Sequence, residues 1–285
     1  MFCKNTFLEK ISMSNPLKQY FRRPALYLSL PSRGEFYPEG ALDMPENGEL
    51  PVYPMTAIDE ITSKTPDSLF NGTAVPEIIK SCVPAIKDPW AIPSVDMDAI
   101  LVAIRAATSG NDLEINSECP SCKEEGKYNI NLGYLLSGLK PTDYNQPLVL
   151  GELIFKFKPL SYNKVNEGNM AQFTIQQEIV KMQEMTDNDA RGKYGSEIMK
   201  KLTRMNMELI TAVVESIAVP GDVVTNREHV LEFLSSCDKT TYETIREYVT
   251  KLRDNSTIKP QKIKCVSCEH EYEQSLSLNV SDFFA

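Results

Sequence analysis

Histidine is almost missing from this chain: His229 and His270 are the only two in 285 residues. A three-histidine catalytic zinc site therefore cannot be assembled from one subunit. No apolar run approaches the ~18 residues of a membrane span. The oiliest stretch, Leu209 to Pro220, is short and interrupted by Glu215. Near the start, Lys4, Glu9 and Lys10 leave no apolar core for a signal peptide, so the expectation is a chain made in the cytosol. There is no G-x-G-x-x-G, no G-x-x-x-x-G-K-[ST] and no G-x-S-x-G, hence no phosphate cradle and no nucleophile elbow. Low-complexity tracts and array-type repeats are missing too.

Basic charge is also in short supply, with 30 Lys and Arg against 39 Asp and Glu and a net charge of −9. It is unevenly placed. Residues 1 to 35 hold six basic and two acidic side chains, whereas residues 36 to 118 hold four and fourteen. An acidic body with a short basic arm argues against a broad nucleic-acid surface, which needs clustered Lys and Arg to displace counterions. Asp59, Glu60, Asp67, Asp96 and Asp98 are candidate acids, but helix N-termini account for several of them, and no enzyme is expected. With 42% apolar and 24% charged residues the chain is globular in composition, long enough for one large domain or two ordinary ones.

What the sequence does have is cysteine in a pattern. Cys119-Pro-Ser-Cys122 and Cys265-Val-Ser-Cys268 have the spacing at which a tight turn aims two thiolates at one metal ion, and two such turns complete a Cys₄ shell. Their contexts match: Ile130 and Leu276 lie 11 residues after the first cysteine of their pair, and Leu132 and Leu278 lie 13 after it. Each turn precedes an alternating strand and then an apolar pair, Leu135-Leu136 or Phe283-Phe284, so the two halves read as a pseudo-repeat of a zinc ribbon. The intervening residues 123 to 264 form a long excursion, which loop-closure entropy tolerates because it rises only logarithmically with length. The reading is one structural Zn²⁺ held by Cys119, Cys122, Cys265 and Cys268. Two disulfides or a redox dithiol are the alternatives. His270 follows Cys268 too closely to be a ligand and reads as an exposed hairpin residue, while Cys82 and Cys237 read as small core residues.

The pass along the chain predicts an α+β protein: a split zinc-ribbon-like domain with a small α/β N-terminal part and an inserted, mainly helical subdomain. Residues 1–29 form an extended basic arm in which Tyr20, Phe21, Arg22, Arg23 and Tyr27 are the candidate partner-binding residues, being types that grip a protein neighbour. Residues 30–112 form an acidic α/β part, with a strand from Leu50 to Met55, a helix capped by Thr56 and Asp59, further short helices at 67 to 71 and 75 to 83, and a stronger helix carrying Met97, Ile100, Leu101, Ile104 and Ala107 up to Gly110. Residues 113–139 and 258–285 are the two knuckles. Residues 140–257 hold a strand or hairpin at 148 to 157, then a four-helix array with capping boxes at Thr225/Glu228 and Thr240/Glu243.

In the first half, Leu30-Pro31-Ser32-Arg33-Gly34-x-Phe36-Tyr37, Val52-x-Pro54-Met55, Asp59-Glu60, Pro66-Asp67-x-Leu69-x-Asn71-Gly72, Cys82-Val83-Pro84 and Cys119-Pro120-x-Cys122 follow one another in order. This series resembles the baseplate protein family of T-even-type contractile-tailed phages, over roughly residues 28 to 136 and less so over 140 to 260. The resemblance implies a baseplate hub component or hub-assembly factor, made in the host cytoplasm and placed in the virion tail. Other baseplate and tail proteins would be its partners, with copies of itself competing through the acidic 36-to-118 region, and no membrane or nucleic acid involved. A zinc-ribbon nucleic-acid-binding or regulatory protein is the alternative; a zinc hydrolase would require an exchangeable water on the metal.

Overall fold

The computed structural model describes residues 15–65, 72–139, 143–276 and 283. The expected helix at 67 to 71, Cys3, Leu278 and Phe284 lie outside the described residues, as does most of the Pro66-to-Gly72 motif.

Two hydrophobic cores organise the chain. The first begins with β1 (Leu26–Ser29) and β2 (Glu49–Val52), an antiparallel pair in which Leu28 faces Leu50. Helix α1 (Ala57–Ser63) starts at a capping box: the Thr56 side chain accepts from the Asp59 N–H, and Asp59 accepts from the Thr56 N–H at 2.7 Å. Helix α2 (Ala74–Cys82) follows, and α3 (Ser94–Ser109) runs through the middle of this core. Apolar residues on nearly every side of α3 explain why it is central, since such a helix finds its stable place only inside. Gly110, at φ 86, ends it with its N–H on the Ala106 carbonyl. The hairpin β3 (Asp112–Glu118) and β4 (Glu125–Asn131) and helix α4 (Leu132–Gly138) complete the layer. Phe283, from the far end of the sequence, is buried in the same core, and the Arg105 Nε–H donates to its carbonyl at 2.8 Å.

The second core sits under a four-stranded antiparallel sheet in sequential order: β5 (Leu148–Leu150), β6 (Leu153–Phe157), β7 (Val214–Val219) and β8 (Asp222–Val224). Between β6 and β7 the chain leaves as a long helical hairpin, α5 (Tyr162–Gln183) and α6 (Asn188–Val213). Helices α7 (Arg227–Ser236) and α8 (Lys239–Ser256) then cover the inner face, where Phe155, Phe157 and Ile217 meet Val230, Leu234 and Ile245. The chain closes with the hairpin β9 (Gln261–Lys264) and β10 (Glu271–Gln274).

The expected four-helix array is thus four helices interrupted by the hairpin β7–β8. Its residues Val214, Ile217 and Val219 favour a pleated surface, and Pro220-Gly221, with Gly221 at φ 88, turns the chain back. Both capping boxes are also displaced. Asn226 caps α7 by accepting from Glu228 and His229, and Asp238 caps α8 by accepting from Thr241, in place of Thr225 and Thr240. The insertion is also knitted to the first part. Ser94 donates to the Leu160 carbonyl at 2.7 Å, Tyr162 donates to the Ile92 carbonyl at 2.8 Å, and Val95 is buried in the second core.

Candidate metal centre

Both cysteine pairs occupy the turns of antiparallel hairpins, and the two turns are built alike. In the first, the Cys119 N–H donates to the Glu124 carbonyl and the Lys123 N–H to the Cys119 carbonyl, both at 2.9 Å, with Lys123 at φ 64. In the second, the Cys265 N–H donates to the His270 carbonyl at 2.9 Å and the Glu269 N–H to the Cys265 carbonyl at 3.1 Å, with Glu269 at φ 59. A non-glycine residue in the left-handed region is uncommon. Its recurrence four residues after the first cysteine of each pair makes the pseudo-repeat structural as well as sequential.

The turns face one another. All four sulfurs lie within 4.8 Å of each other, with Cys119 Sγ 3.7 Å from Cys268 Sγ and Cys122 Sγ 3.6 Å from Cys265 Sγ. A tetrahedral shell with metal–sulfur bonds of about 2.3 Å has edges of about 3.8 Å. A disulfide needs about 2.05 Å. The cysteines are free, so these four side chains could hold a metal ion and are not disulfide-bonded. Backbone N–H groups of Cys268 and Ser267 aimed at Cys265 Sγ favour its thiolate and bring its pKa down to about 6. At Cys122 the Glu124 N–H acts in the same direction, but desolvation and the three neighbouring sulfurs prevail and push it up to about 12. Four thiols this close cannot all ionise without a cation among them.

Around the cluster, Ser117, Tyr272 and Gln274 join one hairpin to the other. Ser117 Oγ donates to Gln274 Oε1 at 2.6 Å, Tyr272 OH donates to Ser117 Oγ at 3.0 Å, and the Tyr128 and Tyr272 rings meet edge to face at 6.4 Å. Sequence reasoning missed all three residues, because no spacing rule pairs side chains across separate hairpins. His270 is exposed and stacks on Tyr272. Cys82 is fully buried in the first core, where burial pushes its thiol up to about 12; Cys237 is half-buried at the end of α7.

The aromatic and basic residues of the N-terminal segment separate into two groups. Tyr20, Phe21, Arg23 and Tyr27 are exposed. Arg22 turns inward: it donates to the Ser81 carbonyl at 2.7 Å, to Ser81 Oγ at 2.8 Å and to the Pro54 carbonyl, lies 3.5 Å from Asp59, and sits over the Tyr53 ring. Arg22 is therefore occupied within its own chain, and Tyr27 belongs to β1, so the segment is fixed to the body before residue 29.

A second polar cluster explains the Leu30-to-Tyr37 motif. Asp96, in the first turn of α3, is fully buried, and its carboxylate accepts from the Ser32 N–H at 2.7 Å, from Ser32 Oγ, and from Tyr37 OH at 3.1 Å. Burial raises its pKa to about 6 despite these bonds, and burial together with Asp96 raises Tyr37 well above the usual phenol range. Arg33 and Phe36, both at positive φ, bend the motif around the acid.

A mixed α/β body with two cores, in which two hairpin turns bring four free thiols within 4.8 Å of one another, defines the class of this protein. Residues 43–285 match the model of the family described as T4 bacteriophage base plate protein, and the chain belongs to that family. Membership supports a structural component of a phage baseplate, and it implies a place in the virion tail in association with other tail proteins. The match begins after the Leu30-to-Tyr37 motif and runs through the helical insertion and the second hairpin, so the likeness extends over residues 140 to 260, where the sequence motifs carry less of it. Comparison with curated proteins and with solved structures gives no match. Among the described residues no helix is long and apolar enough to cross a membrane.

Proposed function

We propose that this chain is a non-enzymatic structural or assembly component of the baseplate hub, and that one structural Zn²⁺, bound by Cys119, Cys122, Cys265 and Cys268, joins its two hairpins as a split zinc ribbon. The observation that supports this reading is the convergence of four free thiols, with edges of 3.6 and 3.7 Å, from segments separated by residues 123–264. A closed Cys₄ donor set suits structural zinc, which has no open coordination position for substrate. Bound there, the ion would supply folding free energy. In a chain-entropy account, tying off a loop of this length restricts the unfolded state by roughly 5 kcal/mol.

Tyr20, Phe21, Arg23 and Tyr27 are the surface proposed to meet a neighbouring tail protein. Exposed Ile58 and Ile61 on α1 extend its apolar character, because Arg22 pins this segment beside Asp59 of the same helix. Aromatic and arginine side chains are enriched among the residues that carry binding energy at interfaces. The test is a phage lacking the gene, supplied with the wild-type chain or a Tyr20→Ala/Phe21→Ala variant, with purified particles inventoried by mass spectrometry. Incorporation of the wild type and loss of the variant are expected; normal tail assembly by the phage lacking the gene when no chain is supplied would overturn the hub reading.

A further inference from the structure

A concave site of about 850 Å³ lies where the two cores and the second hairpin meet. One wall is α4 with Tyr134, another is the last turns of α8 with Tyr248 and Lys251, and the third is the connection carrying Lys259 together with the start of β9 at Lys262. Its walls are firmly set. Tyr248 OH donates to the Gln146 carbonyl at 2.9 Å, and the Ile258 N–H donates to Asp98 of α3 at 3.3 Å, fastening the connection to the first core. Leu135 and Leu252 are buried at its base.

The charge of this site is opposite to that of the chain. Lys251, Lys259 and Lys262 line it, against Asp143 as the one acidic lining residue among the described residues, in a protein of net charge −9. Close to it, Arg253 lies 3.3 Å from Asp254 and Lys264 3.0 Å from Glu269. Among the described residues the three lysines belong to no such ion pair, although Glu273 lies across the hairpin from Lys262. Lys251 also suits the C-terminal end of the α8 dipole, but Lys259 and Lys262 lie beyond the helix and gain nothing from it.

We infer that this site receives an acidic peptide segment of a neighbouring protein, with one apolar side chain on the Leu135–Leu252 base and carboxylates on the three lysines. The mixture of apolar base, tyrosine walls and lysine rim fits such a segment better than a bare anion. Three lysines in an acidic body are too few for the counterion release that drives nucleic-acid binding. Because the walls come from both cores and from the second hairpin, the occupant would brace all three against one another. This inference rests on charge and shape alone and holds whether or not the four thiols carry metal.

The experiment uses the full chain and a fluorescein-labelled peptide, Asp-Glu-Asp-Leu-Glu-Asp-Glu, followed by anisotropy at low and physiological salt. Saturable binding that weakens with salt is expected. A Lys251→Glu/Lys259→Glu variant, folded by circular dichroism, should bind roughly tenfold more weakly, and a peptide with lysines in place of its acids should recover affinity for that variant. Equal binding of peptide by both proteins, or none by the wild type, would overturn the inference. So would complete competition by inorganic phosphate at equal concentration, which would mark a small-anion site, or tighter binding of oligo-dT lost in the same variant, which would mark a nucleic-acid site.

Discussion

Asp96 offers a stability test in which sign and size both follow from the geometry. Its carboxylate is fully buried and accepts from the Ser32 N–H, the Ser32 hydroxyl and Tyr37 OH, and burial outweighs these bonds to lift its pKa from 3.8 to about 6. Between those values the folded protein holds a proton that the unfolded chain has released. The stabilisation from this group is therefore complete below about pH 4 and is lost as pH rises through about 6. The full span is about 3 kcal/mol, of which about 2 kcal/mol falls between pH 4.5 and pH 8. Asp96→Asn keeps an acceptor for the Ser32 N–H and presents its amide to two hydroxyls that can rotate to accept, yet it cannot ionise. Urea unfolding of both proteins at pH 4.5 and pH 8 should show Asn gaining on Asp by about 2 kcal/mol across that interval; other titrating groups cancel in the difference. Asp96→Ala should be destabilised by roughly 1–3 kcal/mol or more at both pH values, because it orphans the Ser32 N–H and leaves a void. A gap between wild type and Asn that is flat with pH, or that moves towards wild type as pH rises, would refute the reasoning, since it would mean the buried carboxylate is ionised at no cost.

Arg22→Ala should cost about 2–3 kcal/mol in chemical denaturation, because it removes the donor to the Ser81 and Pro54 carbonyls and the cation beside the buried Asp59, whereas Arg23→Ala should stay within about 0.5 kcal/mol. Phe283→Ala should cost roughly 3–5 kcal/mol by the same measurement, since this residue from the end of the sequence is 4% exposed in the first core. Tyr20→Ala/Phe21→Ala should leave the melting temperature within a degree or two of wild type, as both rings are exposed, while removing the chain from assembled particles.

How far the sequence carries the reader depends on the range of each interaction. The α1 cap, α3 with its stop at Gly110 and the β5–β6 hairpin rest on neighbours within a few residues, and pattern reading found them. The cysteine turns were legible for the same reason, and their meeting was inferable because a metal shell demands four donors. The strand β7 was hidden because the apolar run from Leu209 serves two structures: Ile210 and Val213 face the core from α6, and Val214 and Ile217 face it from the sheet. Helix caps slipped by one or two residues where Asn226 and Asp238 compete with nearby threonines. The bonds of Arg22 to Ser81 and of Asp96 to Ser32 are not legible in the sequence, because the partners lie 59 and 64 residues away and only the fold brings them together.

The central claim, one structural zinc that closes the excursion between two distant hairpins, is tested most directly by native mass spectrometry with elemental metal analysis of the full chain before and after chelation, alongside its melting curve. The account predicts one zinc per wild-type chain, loss of that zinc and a large fall in melting temperature on chelation, and the same loss in Cys265→Ser. A metal-free wild-type chain with an unchanged fold, or a Cys265→Ser variant with full zinc content and wild-type stability, would contradict it.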